Sequence, residues 1–269
     1  MVANFLAGGA VINALARQLD ARVEVVDVGV AAALPRHDRL RPFKVMPGTA
    51  DMTAGPAMTG EQVGAAVGVG RRVADDLADA GHRLLVGGDM GIANTTASAA
   101  LISALTGRPV AEVTGRGTGI DDDMLAHKVA VIERALAVNG LTPGGSVTAA
   151  PISVLAAVGG LEHAAMVGFL LGAAARRTPV VLDGVISVSA ALVARALRPA
   201  AAHYWIAGHR SAEPGAAVAL EHLGQAALLD LDMRLGEGSG AALAVPIVQA
   251  ASRILAEVAS FDDAGVSEA

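Results

Sequence analysis

A glycine-rich stretch near the carboxyl end of the chain holds one acid whose surroundings suit proton transfer. Residues 236–240 read Gly-Glu-Gly-Ser-Gly, and an apolar run with helical spacing follows. Glycine lets the backbone approach a ligand closely and adopt positive φ, and the start of a helix presents unpaired N–H groups. Glu237 is therefore a candidate general base. The alternative interpretation is structural, because an acid in a first helical turn stabilises the helix dipole.

A second glycine turn follows an apolar run and precedes a helical pattern. Residues 87–96 read Gly-Gly-Asp-Met-Gly-Ile-Ala-Asn-Thr-Thr. Flexible backbone, a carboxylate, an amide and two hydroxyls in one turn suit a phosphate or a ribose. Asp89, Asn94 and Thr95 are the candidate contacts, and Gly91 allows a close approach. The alternative is an ordinary strand-to-helix turn in which Asn94 or Thr95 is the N-cap.

Two further turns carry groups that could hold an anion. Residues 115–123 read Gly-Arg-Gly-Thr-Gly-Ile-Asp-Asp-Asp, and Lys128 follows on a predicted helix. Residues 208–215 read Gly-His-Arg-Ser-Ala-Glu-Pro-Gly, in which Ser211 fits an N-cap position. Each turn also has a structural interpretation. The acids at 121–123 can cap a helix and Lys128 can be a solvated helix residue, while His209 can be a structural histidine.

Composition and missing motifs exclude several classes of chemistry. The 269 residues include no cysteine, so disulfides, thiolate nucleophiles and thiolate metal sites are ruled out. The net charge of -6 without a dense basic cluster argues against a nucleic-acid surface. No P-loop occurs, and the glycines at 68–70 lie in a helical pattern without the last glycine of a dinucleotide fingerprint. No residue spacing resembles a metal site or a nucleophile elbow.

The hydrophobic residues of this chain are mostly small. The chain is 53% hydrophobic but only 2% aromatic, so its core must consist of Ala, Val, Leu and Ile. The longest apolar stretch, 164–175, is shorter than the roughly 18 residues that a membrane-spanning helix needs. No signal peptide is visible at the start. We therefore expect a cytoplasmic protein with neither a membrane nor a nucleic acid as partner.

Strand, glycine-rich turn and helix alternate along the chain and must position the candidate groups. The pattern predicts strands at 22–28, 83–86, 111–115, 179–182 and 203–207. It predicts helices at 2–19, 60–80, 94–106, 121–139, 151–158, 161–177, 187–197, 214–223 and 238–258. Residues 31–56 form a long irregular connection. Such βα units predict an α/β fold, Rossmann-like, with a single largely parallel sheet, helices on both faces and ligands at the strand ends.

Five stretches form a specific set when they are read together. They lie at 88–97 (Gly-Asp-Met-Gly-Ile-Ala-Asn-Thr-Thr-Ala), 117–122, 180–184, 208–215 and 234–242. In order and spacing they resemble the nicotinate-nucleotide–dimethylbenzimidazole phosphoribosyltransferase family of the cobalamin pathway. The resemblance implies that a benzimidazole nitrogen attacks C1′ of nicotinate mononucleotide, that nicotinate leaves with inversion, and that α-ribazole 5′-phosphate forms. It also implies a homodimer, with no metal and no other cofactor.

The resemblance assigns roles to residues of this sequence. Glu237 matches the family's general base, which takes the proton from the benzimidazole. The implied substrate-binding residues are Asp89, where many members have Glu, and Gly91, Asn94, Thr95, Lys128, Ser211, Gly236 and Gly238. The implied organisation is an α/β phosphoribosyltransferase domain over 20–235 and a small helical domain of 1–19 with 236–269. Apolar walls favour a neutral Glu237 and a helix N-terminus favours its charged form, and the sequence leaves this balance open.

The sequence departs from the family at its amino terminus. Members usually carry a further portion before the Asn-Phe-x-x-Gly-Gly stretch at 4–9, including an Asp-His-Gly strand end and a segment that lines the benzimidazole pocket. We therefore expect a partial helical domain, a present nucleotide half of the site and an incomplete benzimidazole half. The alternative function is a non-catalytic nucleotide-binding homologue. A nicotinamide-dependent dehydrogenase is a third interpretation, disfavoured by the incomplete fingerprint.

Overall fold

Five short strands form two separate parallel sheets in the computed structural model, which describes residues 1–141, 150–260 and 263–265. The first sheet pairs β1 with β2, and the second has the order β3-β4-β5. In the second sheet, Leu85 lies opposite Val180, which lies opposite Trp205. The strands are β1 (Val25–Asp27), β2 (Leu40–Pro42), β3 (Leu85–Gly87), β4 (Val180–Leu182) and β5 (Trp205–Ala207).

Eleven α-helices of the described residues surround these sheets. They are α1 (Val2–Leu6), α2 (Val11–Gln18), α3 (Gly60–Asp79), α4 (Asn94–Thr106), α5 (Val110–Val113), α6 (Asp122–Val138), α7 (Pro151–Val158), α8 (Leu161–Ala175), α9 (Val185–Leu197), α10 (Pro214–Leu223) and α11 (Ser239–Glu257). The central strand β4 is covered on both faces: Val180 and Leu182 belong to the large core, whereas Val181 packs with Ala241 and Val245 of α11. The α/β class with parallel strands and helices on both faces is therefore confirmed.

Glycines allow helices α3 and α8 to pack backbone against backbone. A Cβ atom on Gly70 would overlap with the carbonyl group of Ala165, and one on Gly168 would overlap with that of Val67. Such close approach needs residues without side chains, which explains why a glycine-rich and aromatic-poor chain can fill its core. This contact also fixes the N-terminal end of α8 beside the glycine turn after β3, because α8 contacts β3 directly.

Several predicted elements are wrong in detail. Residues 2–19 form two helices, because Gly8 has a φ of 78° and interrupts the first one. Residues 111–115, predicted as a strand, include the end of the short helix α5, which begins after Pro109. The irregular connection 31–56 contains the strand β2. The expectation of one sheet is also wrong for the described part of the chain, since no described strand joins β1 to β3. The division into two domains stays a prediction.

Helix α11 is the one described helix whose length and composition would suffice to cross a membrane. It is not the apolar stretch at 164–175 that the sequence suggested. Pro246 lies inside it, and Ala241, Ala244 and Val245 are buried against β4. A core helix passes the same test of length and composition, and these contacts identify the N-terminal half of α11 as part of the core.

Candidate active site

The loop before α11 holds Glu237 in an unusual backbone conformation. Gly236, Glu237 and Gly238 have φ angles of 82°, 66° and 86°. Positive φ is uncommon for a residue with a side chain, so the surroundings must hold Glu237 there. The Glu237 N–H donates to the Asp89 carbonyl oxygen at 2.9 Å, and a Cβ atom on Gly88 would overlap with the Glu237 backbone. The two glycine turns are thus packed directly against each other.

Asp183, at the end of β4, anchors the same loop. Its Oδ2 accepts a hydrogen bond from Gly238 N at 3.0 Å, and its Oδ1 accepts one from Ala241 N at 3.1 Å. His209 Nε2 lies 3.4 Å from Asp183 Oδ1, and its ring packs so tightly on Gly240 that a Cβ atom there would overlap with it. Asp183 therefore caps α11 and fixes the position of the loop that carries Glu237.

The side chain of Glu237 reaches the N-terminus of α2. Glu237 is only 8% exposed, and its Oε2 accepts a hydrogen bond from Ile12 N at 3.2 Å. The sequence placed this acid at the start of α11, but Gly238 is the N-cap there and Glu237 precedes it. The helix whose N-terminus faces the Glu237 carboxylate is therefore α2, and the N–H group of Ile12, unpaired within that helix, binds Oε2.

Asp89 forms a second acidic group beside this loop. Its Oδ1 accepts hydrogen bonds from Gly91 N at 2.8 Å and from the amide of Asn94. Burial raises the pKa of Asp89, and the negative charge of Glu162 raises it further. Burial also raises the pKa of Glu162, but the hydrogen bond and charge of His163, 3.0 Å away, outweigh this and lower it. Two neighbouring carboxyl groups thus have pKa values shifted in opposite directions.

Lys128 stands at the centre of a polar cluster on the other side of the site. Its Nζ donates to Thr95 Oγ1 at 2.8 Å and to Gly115 O at 2.9 Å. An ammonium group has three N–H donors, so one remains for a ligand. Burial lowers the pKa of Lys128, and the negative charge of Glu213 opposes this shift. Two hydrogen bonds therefore hold the half-buried ammonium group of Lys128 beside Thr95.

Glu213 and Ser211 connect two of the predicted turns. Glu213 Oε1 accepts a hydrogen bond from Gly117 N at 2.9 Å, and Ser211 Oγ accepts one from Glu213 N at 3.3 Å. Arg234 also donates to Gly117 O at 3.3 Å. Ser211 and Glu213 are buried. The turns at 115–119 and 208–215 are therefore joined by a network in which most polar groups already have partners.

Helix capping in these turns differs from the prediction. The N-cap of α4 is Ala93, with a φ of 74° and no side-chain hydrogen bond, so neither Asn94 nor Thr95 has that role. The N-cap of α10 is Glu213 rather than Ser211. Because these polar side chains do not cap helices, they stay available to contact one another and a ligand.

The predicted site residues come together through these contacts. Asn94 contacts Asp89 while the adjacent Thr95 contacts Lys128, so one turn joins both halves of the site. A Cβ atom on Gly184, next to Asp183, would lie 3.9 Å from Ser211 Oγ. Sequence reasoning missed three acids of the site. Asp183 and Glu213 lie in quoted turns, where a strand-end acid and an acid before proline were the available signals, whereas Glu162 carried none.

A large cavity opens beside Glu237. Its volume is about 1140 Å³, and aliphatic side chains form most of its lining. The acids Glu237, Asp89 and Glu162 also border it, as do other charged or ionisable residues: Asp20, Arg22, Glu24, His82, Arg83 and Arg253. Among the described residues, no group of three or more His, Asp or Glu side chains could hold a metal ion. The arrangement supplies a buried carboxylate for proton transfer, a lysine for an anion and an apolar space between strands and helices.

An α/β fold with a buried carboxylate and a lysine cluster near the strand ends suits a transferase that acts on an anionic substrate. The sequence profile described as phosphoribosyltransferase matches residues 1–266, and the chain belongs to this family. A relative from Chloroflexus aggregans is named nicotinate-nucleotide–dimethylbenzimidazole phosphoribosyltransferase and is 56% identical over 268 residues. The match covers all of this chain and 74% of the relative.

Other relatives and solved structures agree with this assignment. An enzyme of the same name from Roseiflexus sp. is 54% identical, over 99% of this chain and 74% of its own length. The crystal structure of CobT from Thermus thermophilus matches with a TM-score of 0.93 and 46% identity, over 100% of this chain and 79% of that one. The chain therefore spans about three quarters of the length of these relatives.

Proposed function

We propose that this chain transfers the phosphoribosyl group of nicotinate mononucleotide to 5,6-dimethylbenzimidazole or a related base. The products are α-ribazole 5′-phosphate and nicotinate. The observation that carries the proposal is the buried Glu237, which is held by the turn at Asp89 and borders the large cavity, while Asn94 and Thr95 connect that turn to Lys128. Relatives that bear the name of this reaction match the whole chain at more than half identity.

Glu237 acts as the general base in this proposal. One nitrogen of the benzimidazole attacks C1′ of the ribose, the bond from C1′ to the nicotinate nitrogen breaks, and nicotinate leaves with the bonding electron pair. The other benzimidazole nitrogen loses its proton to Glu237. A positioned carboxylate also stabilises the positive charge that develops at C1′.

The substrate-binding residues divide between the two parts of the nucleotide. Lys128 and Ser211 bind the phosphate, since a held ammonium and a hydroxyl near helix N-termini suit an anion. Thr95 orients Lys128 through their hydrogen bond. The remaining predicted residues lie in the two turns that carry Asp89 and Glu237, and in this proposal they position the ribose and the attacking base: Asp89, Gly91, Asn94, Gly236 and Gly238.

A product assay tests the proposed function. The chain is incubated with nicotinate mononucleotide and dimethylbenzimidazole, and α-ribazole 5′-phosphate is measured by chromatography with mass detection. We expect the phosphorylated product and an equal amount of nicotinate, with neither formed when the base is omitted. Release of nicotinate at the same rate without the base would indicate a nucleosidase and contradict the transfer.

The same proposal includes a homodimer in the cytoplasm. The far half of α11 exposes a row of apolar side chains, and Leu255 is 89% exposed. Exposed apolar rows of this kind often mark interfaces. Charged nucleotides do not leave the cytoplasm across membranes unaided, so the enzyme works where they are kept. Sedimentation of the wild type and of Leu255→Asp tests the dimer, and cell fractionation tests the location.

A further inference from the structure

A buried serine and a buried histidine lie next to the acids that border the cavity. Ser98 on α4 and His163 on α8 are both inaccessible to solvent, and Ser98 Oγ lies 2.8 Å from His163 Nε2. The other ring nitrogen, Nδ1, lies 3.0 Å from Glu162 Oε1, in a bent contact rather than a linear hydrogen bond. We call Ser98 and His163 the serine–histidine pair. The proposed transfer assigns no role to this pair, although buried polar groups are costly unless they have partners.

The contacts of His163 determine which of its ring nitrogens carries the hydrogen. An ionised carboxylate is only an acceptor, so the nitrogen that faces Glu162, Nδ1, carries the hydrogen. Nε2 of the neutral ring is then an acceptor, and the Ser98 hydroxyl is its donor. Ser98 therefore selects the tautomer of His163 whose N–H group faces the Glu162 carboxylate.

Gly160 allows the Glu162 carboxylate to fold back over the start of α8. Gly160 is the N-cap of this helix, and a Cβ atom on it would overlap with both carboxylate oxygens of Glu162. The carboxylate therefore lies at the positive end of the helix dipole. Burial raises the pKa of Glu162, but the hydrogen bond and charge of His163, the backbone N–H of Glu162 and the Asn94 amide together lower it.

Asp89 also borders the cavity, but its surroundings favour the neutral form. Its Oδ1 accepts hydrogen bonds from Gly91 N at 2.8 Å and from the Asn94 amide. Both lone pairs of Oδ1 are therefore used, and a proton on this carboxyl group lies on Oδ2. Burial raises the pKa of Asp89, and the charge of Glu162 raises it further, against the smaller lowering by the two hydrogen bonds and by His163.

We infer that the serine–histidine pair consists of positioning residues, which keep Glu162 charged so that the one proton shared by the two acids stays on Asp89. Two neighbouring carboxyl groups resist ionising together, and the serine–histidine pair decides which of them ionises. Asp89 thereby offers the cavity a hydrogen-bond donor, Oδ2–H, for an oxygen acceptor of the bound nucleotide. Glu237, the third acid of the three at this end of the cavity, stays the proton acceptor. The use of the donor rests on the proposed function, whereas the location of the proton does not.

Carbon-13 NMR of the chain labelled at its aspartate carboxyl groups locates the proton without an activity assay. The signal of Asp89 is identified by its loss in Asp89→Asn. In the wild type we expect the titration midpoint of this signal to lie above the usual value of 3.8. Glu162→Gln keeps the shape of the side chain but not its charge, so the midpoint should fall by about one pH unit.

Two matched pairs of variants test the serine–histidine pair itself. His163→Leu loses the N–H group that faces Glu162, so the proton should move to Glu162 and the Asp89 midpoint should fall. His163→Asn keeps an amide N–H group near the position of Nδ1 and should restore the midpoint. Ser98→Ala should lower the midpoint less, whereas Ser103→Ala, equally buried on α4 and bonded to a backbone carbonyl instead, should not change it. A merely structural pair would change the melting temperature of these variants but not the midpoint.

Nucleotide binding tests the use of the donor. The dissociation constant for nicotinate mononucleotide should rise in the wild type as pH passes the Asp89 midpoint, because ionisation replaces a donor with a negative charge. Asp89→Asn keeps an N–H donor at every pH and should show only the pH dependence of the phosphate group itself. Calorimetric titrations of both proteins across the pH range measure the difference.

Three outcomes would overturn the inference. The first is an Asp89 midpoint at or below 3.8 in the folded wild type, or one that is unchanged in Glu162→Gln. The second is the same midpoint in His163→Leu and His163→Asn, which would make the pair structural. The third is the same pH dependence of nucleotide binding in the wild type and Asp89→Asn. Product formation alongside these results would uphold the transfer alone, whereas the expected midpoints without any product would uphold the location of the proton alone.

Discussion

The two sides of the candidate site differ in how completely the described chain builds them. The phosphate side consists of Thr95, Lys128, Ser211 and Glu213 with the turn at 115–119, and its polar groups bond to one another. The base side consists of Glu237, Asp89 and Glu162, and these acids border the large cavity. One side is already organised for a ligand, whereas the other faces an unfilled space.

The difference follows from where each side lies relative to the sheets. The segments of the phosphate side are joined by hydrogen bonds from Lys128 to Thr95 and Gly115 and from Gly117 to Glu213. The base side lies beside β3, an edge strand, and residues of β1 from the other sheet border the same cavity. Preorganised polar groups bind with little further ordering cost. The nucleotide should therefore bind more readily than the benzimidazole.

The largest loss of turnover is expected when the general base, Glu237, is replaced. Glu237→Gln keeps the shape of the side chain but cannot accept the proton, so turnover should fall about 10²- to 10⁴-fold with nucleotide affinity nearly unchanged. The control is Glu257→Gln, at the exposed end of α11. Steady-state kinetics and circular dichroism check both variants. Near-wild-type turnover of Glu237→Gln would remove this residue from the mechanism.

The next effect concerns the link between the two sides. Asp183→Ala removes both acceptors that hold the loop before α11, which leaves two buried N–H groups unpaired. Urea denaturation should show a loss of about 1–3 kcal/mol for each such group. Turnover should fall about 10²-fold because the general base, Glu237, is displaced. If turnover were unchanged in a folded Asp183→Ala protein, Asp183 would not position Glu237.

A smaller effect should separate the phosphate side from the base side. Lys128→Met removes a charge-assisted hydrogen bond to the phosphate, so the dissociation constant for nicotinate mononucleotide should rise about 10- to 100-fold. Binding of dimethylbenzimidazole should not change. The chain's other lysine, Lys44, lies at the end of the first sheet near Asp27, and Lys44→Met serves as the control. Equal losses for both ligands would contradict the division into two sides.

The smallest effect concerns stability and pH on the base side. The pKa of Asp89 is higher in the folded chain than its usual value of 3.8. Ionisation therefore costs stability, and the free energy of unfolding should fall as pH rises from 3.8 through the folded pKa. Asparagine does not ionise, so the free energy of unfolding of Asp89→Asn should not fall in this way. The variant should therefore become more stable relative to the wild type as pH rises over that range. Urea titrations across the pH range check this, and parallel curves for both proteins would contradict it.

Much of the fold was predictable because local patterns determined it. The helix 94–106 has the predicted bounds, and the strands at β3, β4 and β5 lie within two residues of their predicted positions. Short-range glycine signals also identified the turns at Glu237 and Asp89. The strand predicted at 111–115 failed because a proline-initiated helical turn competes with a short apolar run. Local spacing could not distinguish these two outcomes.

The unpredicted parts depend on contacts between distant residues. The hydrogen bonds of Asp183 join residues more than fifty positions apart, and the bond from Ile12 to Glu237 joins the two ends of the chain. The division into two sheets likewise depends on strand pairings between distant residues, such as that of β3 with β4. No local pattern encodes such pairings, so the sequence identified Glu237 and Asp89 but not the groups that hold them.

Separate calorimetric titrations of the two substrates into the chain test the central claim, that the phosphate side is organised and the base side is open. We expect a clear heat of binding for nicotinate mononucleotide and much weaker binding of dimethylbenzimidazole. Tight binding of dimethylbenzimidazole to the chain alone, or no binding of the nucleotide, would contradict it.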